Sequence, residues 1–433
     1  MKFNKWTYGL AAVGVVSLAS AARADEAKPS AVETALSNTT ISGSVSFSAQ
    51  VALDPNAAAY ANSVAGSSNP FGGIPFQRGK QDGFNLDVVR LTIAKPQDES
   101  PWASGYQIDL MFGPDAVGYN PSNVGSSSSS SSFGSGSDFA IKQAYVALRT
   151  PVGNGIDWKF GVFDTVVGYE VTDAGNDPNY TRSYGYTVEP TEHTGVLATY
   201  KINDMFTVSA GVANTLTAGI NFRNTSNNGP SSYWKKTFMG SVAMTAPSSW
   251  GWAAGSTMYA GVVYGFNNAA TSDGDGEVAG FAAGDQLNGY FGATLNTPIK
   301  ALTVGAAFDY VQNLGGGSSD DGYNNHNDVY VVGLYATYKA TDKLSLSARG
   351  EYLHVENISA YSGGEFSAYS YSYSGDAYEL TGTIEYDLWA NVISRVEVRW
   401  DHFAQGTSAA GFGNDRNFNR SALGLYANII YKF

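Results

Sequence analysis

One repeating unit constrains this chain more than anything else: about ten residues of alternating character, a short turn, ten more such residues, then a long polar connection. Successive side chains of an extended strand point to opposite faces, so alternation produces one apolar and one polar face. The cleanest example is Ile41–Leu53. There Ile41, Val45, Phe47, Val51 and Leu53 share one face, and Ser42, Ser44, Ser46, Ser48 and Gln50 share the other. The pattern predicts about sixteen strands, running from Ile41–Leu53 through Phe84–Lys95, Asp157–Asp164, Tyr378–Leu388 and Ile393–Phe403 to a closing strand from Leu423. A phase slip at Val88-Val89 reads as a β-bulge.

Short connections such as Asn203-Asp204, Asn296–Lys300 and Ala340–Lys343 alternate with long ones throughout. A soluble sandwich has no reason to sort its loops in this way. An all-β, transmembrane antiparallel β-barrel does, with short periplasmic turns at one rim and long outer loops at the other. Closure at about sixteen strands leaves an aqueous channel, whereas about eight would be filled by side chains.

Composition agrees. Hydrophobic residues make up 43% of the chain, yet after the leader no apolar run approaches the roughly 18 residues of a spanning helix. Polar faces carry carboxylates, as in Glu379, Thr381, Thr383, Glu385 and Asp387 opposite Tyr378, Leu380, Ile384 and Tyr386. A packed apolar core would charge heavily for them, but a wet lumen does not. Outward aromatics such as Trp158, Tyr200, Phe308, Trp400, Tyr431 and Phe433 suit interfacial girdles. In the last strand Leu425, Ala427, Ile429, Tyr431 and Phe433 share the apolar face, and Ile430 breaks the pattern. That strand, with Tyr431 and the terminal Phe433, resembles the assembly signal of bacterial outer-membrane barrels, which implies the barrel assembly machinery as a partner.

Residues 1–24 have the form of a signal peptide: Lys2 and Lys5, an apolar run to Ala21, then Ala22-Arg23-Ala24. Residues 25–37 read as a short periplasmic lead and 38–433 as a single outer-membrane barrel. Removing the leader takes away three basic residues and no acid, leaving 22 basic against 38 acidic residues and a net charge of −16. Such a chain repels nucleic acid and favours cations near its openings. With no Cys it holds no disulfide, no Cys-type zinc site and no covalently attached haem.

One stretch carries a family resemblance. Phe160-Gly161-Val162-Phe163-Asp164-Thr165, Gly168-Tyr169-Glu170, Asn179-Tyr180-Thr181-Arg182-Ser183-Tyr184 and Glu189-Pro190-Thr191-Glu192-His193-Thr194-Gly195 together resemble the bacterial β-barrel porin type 2 family. In that family a strand leaves the wall, passes through a long loop and re-enters at His-Thr-Gly. The resemblance implies a porin in the bacterial outer membrane with no enzyme activity and no cofactor. By analogy with other porins, the loop from Thr165 to His193 would fold inward as the constriction.

The loop carries Glu170, Asp173, Asp177, Glu189 and Glu192 against Arg182, with Tyr184 beside it. Lys159, Arg349, Glu351, Arg395, Glu397 and Arg399 fall on the inward faces of their strands. Acids on the loop facing bases on the wall would set a transverse field across the pore and favour cations. A set of ordinary lumenal ion pairs is the plainer alternative.

Other signals are weaker. Asp273-Gly274-Asp275-Gly276-Glu277 lacks the twelve-residue spacing of a calcium loop. Gly125–Gly136 is Ser/Gly low complexity. His193, His326, His354 and His402 have no metal-binding spacing. A barrel lipase would need Ser, His and an orienting group together on the outer wall. His402 lies in the outward phase that such a site needs, but so do many interfacial residues.

The expected function is passive diffusion of small polar solutes and ions through a water-filled channel, weakly cation-preferring, in outer-membrane lipid, with a homotrimer left open. Two alternatives stand: a sugar- or oligosaccharide-selective channel using lumenal Tyr145 and Tyr426, and a surface-binding barrel with a blocked lumen.

Overall fold

A computed structural model describes residues 38–53, 80, 83–119, 139–216, 220, 235–266, 285–312, 328–358, 373–405 and 421–433. The leader, the lead up to residue 37, Gly125–Gly136, Asp273–Glu277 and His326 lie outside these residues.

The sixteen alternating segments are sixteen strands. They are β1 (Thr40–Ala52), β2 (Gly83–Lys95), β3 (Ser104–Phe112), β4 (Phe139–Thr150), β5 (Ile156–Asp164), β6 (Glu192–Lys201), β7 (Phe206–Ala213) and β8 (Thr237–Thr245). The second half comprises β9 (Thr257–Phe266), β10 (Asp285–Asn296), β11 (Leu302–Gln312), β12 (Val329–Lys339), β13 (Leu344–Ile358), β14 (Tyr373–Trp389), β15 (Val392–Gln405) and β16 (Ser421–Lys432). Each pairs antiparallel with its sequence neighbours, and β1 pairs with β16 to close the barrel. β14 runs five residues further towards the long-loop rim than its alternation suggests, because Tyr373–Ala377 still finds ladder partners on β13.

Closure is set at the seam. Ser44 stands opposite Lys432 and Ala52 opposite Gly424, and Gly43 and Phe433 exchange both backbone hydrogen bonds, at 2.9 and 3.0 Å. A Cβ on Gly43 would lie 2.3 Å from the Arg90 carbonyl and 2.7 Å from the Phe433 ring. Glycine is what lets the last residue pack there.

The slip in β2 is a bulge: Ser46 faces Val88 but Phe47 faces Leu86, so Asp87 is the extra residue. The bulge turns Asp87 into the lumen, where Ser46 and Ser48 donate to its carboxylate at 2.8 and 2.6 Å.

The apolar face looks outward. Leu334, Leu380, Val242 and Val396 are exposed along the middle of their strands, with Tyr338, Tyr386, Trp389 and Tyr431 near one rim and Phe84, Tyr264, Tyr378 and Trp400 near the other. An aliphatic belt between two aromatic girdles is the surface a bilayer requires. In β16 the outward set is Ala427, Ile429, Tyr431 and Phe433. Ile430 breaks the pattern because it faces inward, buried opposite Ile393 and Ser46. The short turns carry their own chemistry: the Asn203 side chain accepts from the Met205 and Phe206 amides at 2.9 and 2.8 Å.

Candidate functional site

The long connection between β5 and β6, residues 165–191, folds into the lumen. Within β5, three residues before the strand ends at Asp164, Gly161 has a φ of +136°, a conformation open to glycine. A Cβ there would meet the Ala144 carbonyl at 2.2 Å. The first turn of the loop is apolar. Val166 and Val167 pack with Phe163, Leu197, Met239, Val263, Tyr290, Ala307 and Tyr335 into a buried cluster against the inner wall. Burying two valines contributes on the order of 3–6 kcal/mol before entropy costs. The start of the loop is thus seated by hydrophobic contact. Tyr169 extends the seat, stacking on Tyr335 at 4.1 Å between ring centroids and accepting from Thr294 at 3.1 Å.

Beyond the seat the loop crosses to the opposite wall, and polar contacts hold it there. Arg349 of β13 donates to the Glu170 carboxylate and the Thr181 carbonyl, both at 2.7 Å, and to Glu379 at 3.2 Å. Arg395 of β15 donates to the Ala174 and Asp177 carbonyls at 2.6 and 2.7 Å, and Arg399 donates to the Arg182 carbonyl. The acids of the wall grip backbone. Glu397 accepts from the Tyr180 and Thr181 amides at 2.5 and 2.8 Å. Glu351 accepts from Tyr184 and Gly185 at 2.8 and 3.3 Å, the first residues of the short helix α1 (Tyr184–Val188), capped by Ser183. A carboxylate at a helix N-terminus is stabilised by the amides it meets. Tyr184 donates to Asp401 at 2.7 Å and Lys432 donates to Gly175 and Asn176 at 2.9 and 2.7 Å.

Acids of the loop and bases of the wall therefore touch directly, rather than facing each other across a water gap. Asp177 pairs with Arg182 at 3.0 Å within the loop. Burial pushes the Asp177 carboxyl up to about 7 even with that guanidinium beside it. Burial and the nearby Asp309 likewise raise the Glu189 carboxyl. Asp173 keeps a side chain that is 25% exposed and lies 3.9 Å from Lys432.

Of the residues singled out in the sequence, Glu170, Asp173, Asp177, Arg182, Tyr184 and Glu189 belong to this loop, and Arg349, Glu351, Arg395, Glu397 and Arg399 meet it. Two lie elsewhere. Glu192 is the first residue of β6, 3.5 Å from Lys142 of β4, because the ladder with β5 already pairs it with Asp164. Lys159 lies on β5 over the Tyr145 ring, 4.7 Å from its centroid, on the wall strand from which the loop departs. Tyr426 is buried under Tyr180 of the loop, at 6.0 Å between centroids, so it offers no sliding surface; Tyr145 stays partly open.

Sequence reasoning missed a second fastening. Lys80, from the first long connection, lies 3.0 Å from Asp87 and 2.9 Å from Asp115, and donates to the Tyr180 hydroxyl at 3.1 Å. Its only trace in the sequence is the bulge that turns Asp87 inward. His402 is hydrogen-bonded to Ser421 at 2.7 Å and stacks on Trp400.

A closed sixteen-strand barrel with a long loop fastened across its lumen is the design of a porin. The chain belongs to the family described as "Putative beta-barrel porin-2, OmpL-like", whose model matches residues 38–433. No curated protein sequence matches it. Three solved structures share the fold. The in-vitro folded, trimeric outer membrane protein OmpT of Vibrio cholerae is 14% identical, with a TM-score of 0.54 over 91% of this chain and 99% of that one. The outer membrane channel DcaP of Acinetobacter baumannii is 13% identical, with a TM-score of 0.55 over 91% and 97%. The anion-selective porin of Comamonas acidovorans is 12% identical, with a TM-score of 0.53 over 91% and 99%.

Proposed function

We propose that this porin is a narrow, water-filled channel of the bacterial outer membrane that passes small polar solutes and ions by passive diffusion, with a weak preference for cations and no catalytic step. The observation that carries this reading is the asymmetry of the lumen. The polar fastenings of the loop fall on β13–β16, while Gln107, Tyr145, Lys159, Ser209 and Ser241, inward on β3, β4, β5, β7 and β8, are only partly buried. A polar path along that second wall is what a hydrated solute needs. Cation preference rests on the excess of acid, −13 over the whole chain and −16 without residues 1–24, since the charges of the loop and wall largely cancel in pairs. The trimeric neighbour supports a homotrimer.

Single-channel recording of the refolded protein in a planar bilayer, with reversal potential in a salt gradient, tests this. Ohmic steps with a cation-shifted reversal are expected. Asp173→Asn, which neutralises the most exposed acid of the loop tip, should move the reversal potential towards zero. An anion-shifted reversal would refute the preference. Silence from a folded, heat-modifiable barrel would refute the channel and favour a blocked lumen with surface-binding loops.

A further inference from the structure

Where the returning limb of the loop meets β11, two acids touch. The Glu189 and Asp309 carboxyls are hydrogen-bonded to each other, and among the described residues neither has an ion pair with a basic side chain. Two glycines of the loop make room for them: a Cβ on Gly168 would lie 2.5 Å from Glu189 Oε2, and one on Gly185 would lie 2.8 Å from Asp309 Oδ2. The contact therefore joins both limbs of the loop to the wall. Beside it, Asn288 of β10 donates to the Val188 carbonyl at 2.8 Å.

Two ionised carboxylates cannot hydrogen-bond, because neither has a hydrogen to donate. One proton must lie between them, since like charges at this range do not both ionise. The surroundings favour keeping it. Asp309 is 3% exposed, and Glu170 of the loop and Glu351 of β13 add negative charge nearby. Arg349 of β13 is engaged by Glu170, Glu351 and Glu379, while Tyr169 of the loop, Tyr290 of β10 and Tyr335 of β12 face these acids as phenols. Lys142 of β4 lines a water-sized cavity with Glu189, but Asp164 and Glu192 hold it. Burial and Asp309 thus keep a proton on Glu189 well above the usual carboxylate range. Glu189 is only half-buried, so the same cavity gives that proton a way to water.

We propose that Glu189 and Asp309 form a proton-held latch between the loop and β11, closed while the pair shares one proton and released when alkaline water removes it. A contact that holds its proton more tightly than the free acids do is stable at low pH and is lost as pH rises. On release, like charges on loop and wall repel each other. The apolar seat at Val166 and Val167 and the fastenings on β13–β16 do not depend on this proton, so the loosening is confined to the returning limb.

Single-channel recording of the refolded protein from about pH 6 to about pH 9, above the range of ordinary carboxyls, tests this. Open-channel noise should rise with pH. Glu189→Gln, whose amide donates to the Asp309 carboxylate without a titrating proton, should lose that rise and keep the parent's conductance at the lower pH. Asp309→Asn should do the same. Infrared difference spectra across the same range read the proton without any current: the parent should lose a protonated-carboxyl C=O band, and Glu189→Gln should show no such loss. Only the noise readout rests on the channel reading. A conducting parent in which the noise or the band stays flat overturns the latch, as does a transition that Glu189→Gln retains. Noise that follows calcium concentration at fixed pH, and not pH itself, overturns the proton in favour of a bridging cation. A folded barrel that loses the band but passes no current overturns the channel and supports the shared proton.

Discussion

Replacing Arg349 by Met is expected to free the loop from the wall and raise both the open-channel current and its noise. Arg349 is fully buried and joins two elements: Glu170 and Thr181 of the loop on one side, Glu379 of β14 on the other. Removing one partner of a buried charge network leaves uncompensated carboxylates and costs about 3–5 kcal/mol. The barrel ladder does not pass through this side chain, so the loss falls on the loop. The checks are single-channel conductance and the unfolding midpoint of the heat-modifiable band. Lys201→Met supplies the comparison, because Lys201 pairs with Asp204 at a short turn, where the side chains are 61% and 97% exposed. That change should leave both readouts close to the parent's. If Arg349→Met matched it in both readouts, the loop would not depend on the wall contact.

The second large effect concerns the opposite face. Leu334 sits midway along β12, 61% exposed, opposite Ala306 and Gly350. Leu334→Arg places a guanidinium at the centre of the aliphatic belt, where a transmembrane barrel loses about 2–4 kcal/mol. Urea unfolding from lipid vesicles measures that loss. Ser241→Arg, also mid-strand but facing the lumen, should change stability much less, because its charge reaches water. Equal costs at the two positions would mean that the outward face does not meet hydrocarbon.

The two predictions separate what was readable in the residue pattern from what was not. Alternation gave Arg349 an inward place from the sequence, since a period of two is a property of the local backbone, and the same period puts Leu334 outward. The bulge at Asp87 showed itself as a phase slip. Other features had no such trace. Tyr426 has the phase of a lumenal aromatic, yet Tyr180 covers it. Glu192 looks like one more acid of the loop, but the β5 ladder claims it first.

Sequence alone thus determined the strand number, the two faces and the closing seam, because each depends on interactions within about ten residues or between neighbouring strands, whereas the inward loop was legible only through its family resemblance. Tertiary structure decided which wall the loop meets, which charges cancel and which tyrosines stay free. Glu170 and Arg349 are 179 positions apart, and Asn179 reaches Thr383 across 204. Contacts at such separations are set by how a closed barrel brings β13–β16 round to face β5, and no local period in the chain encodes that distance.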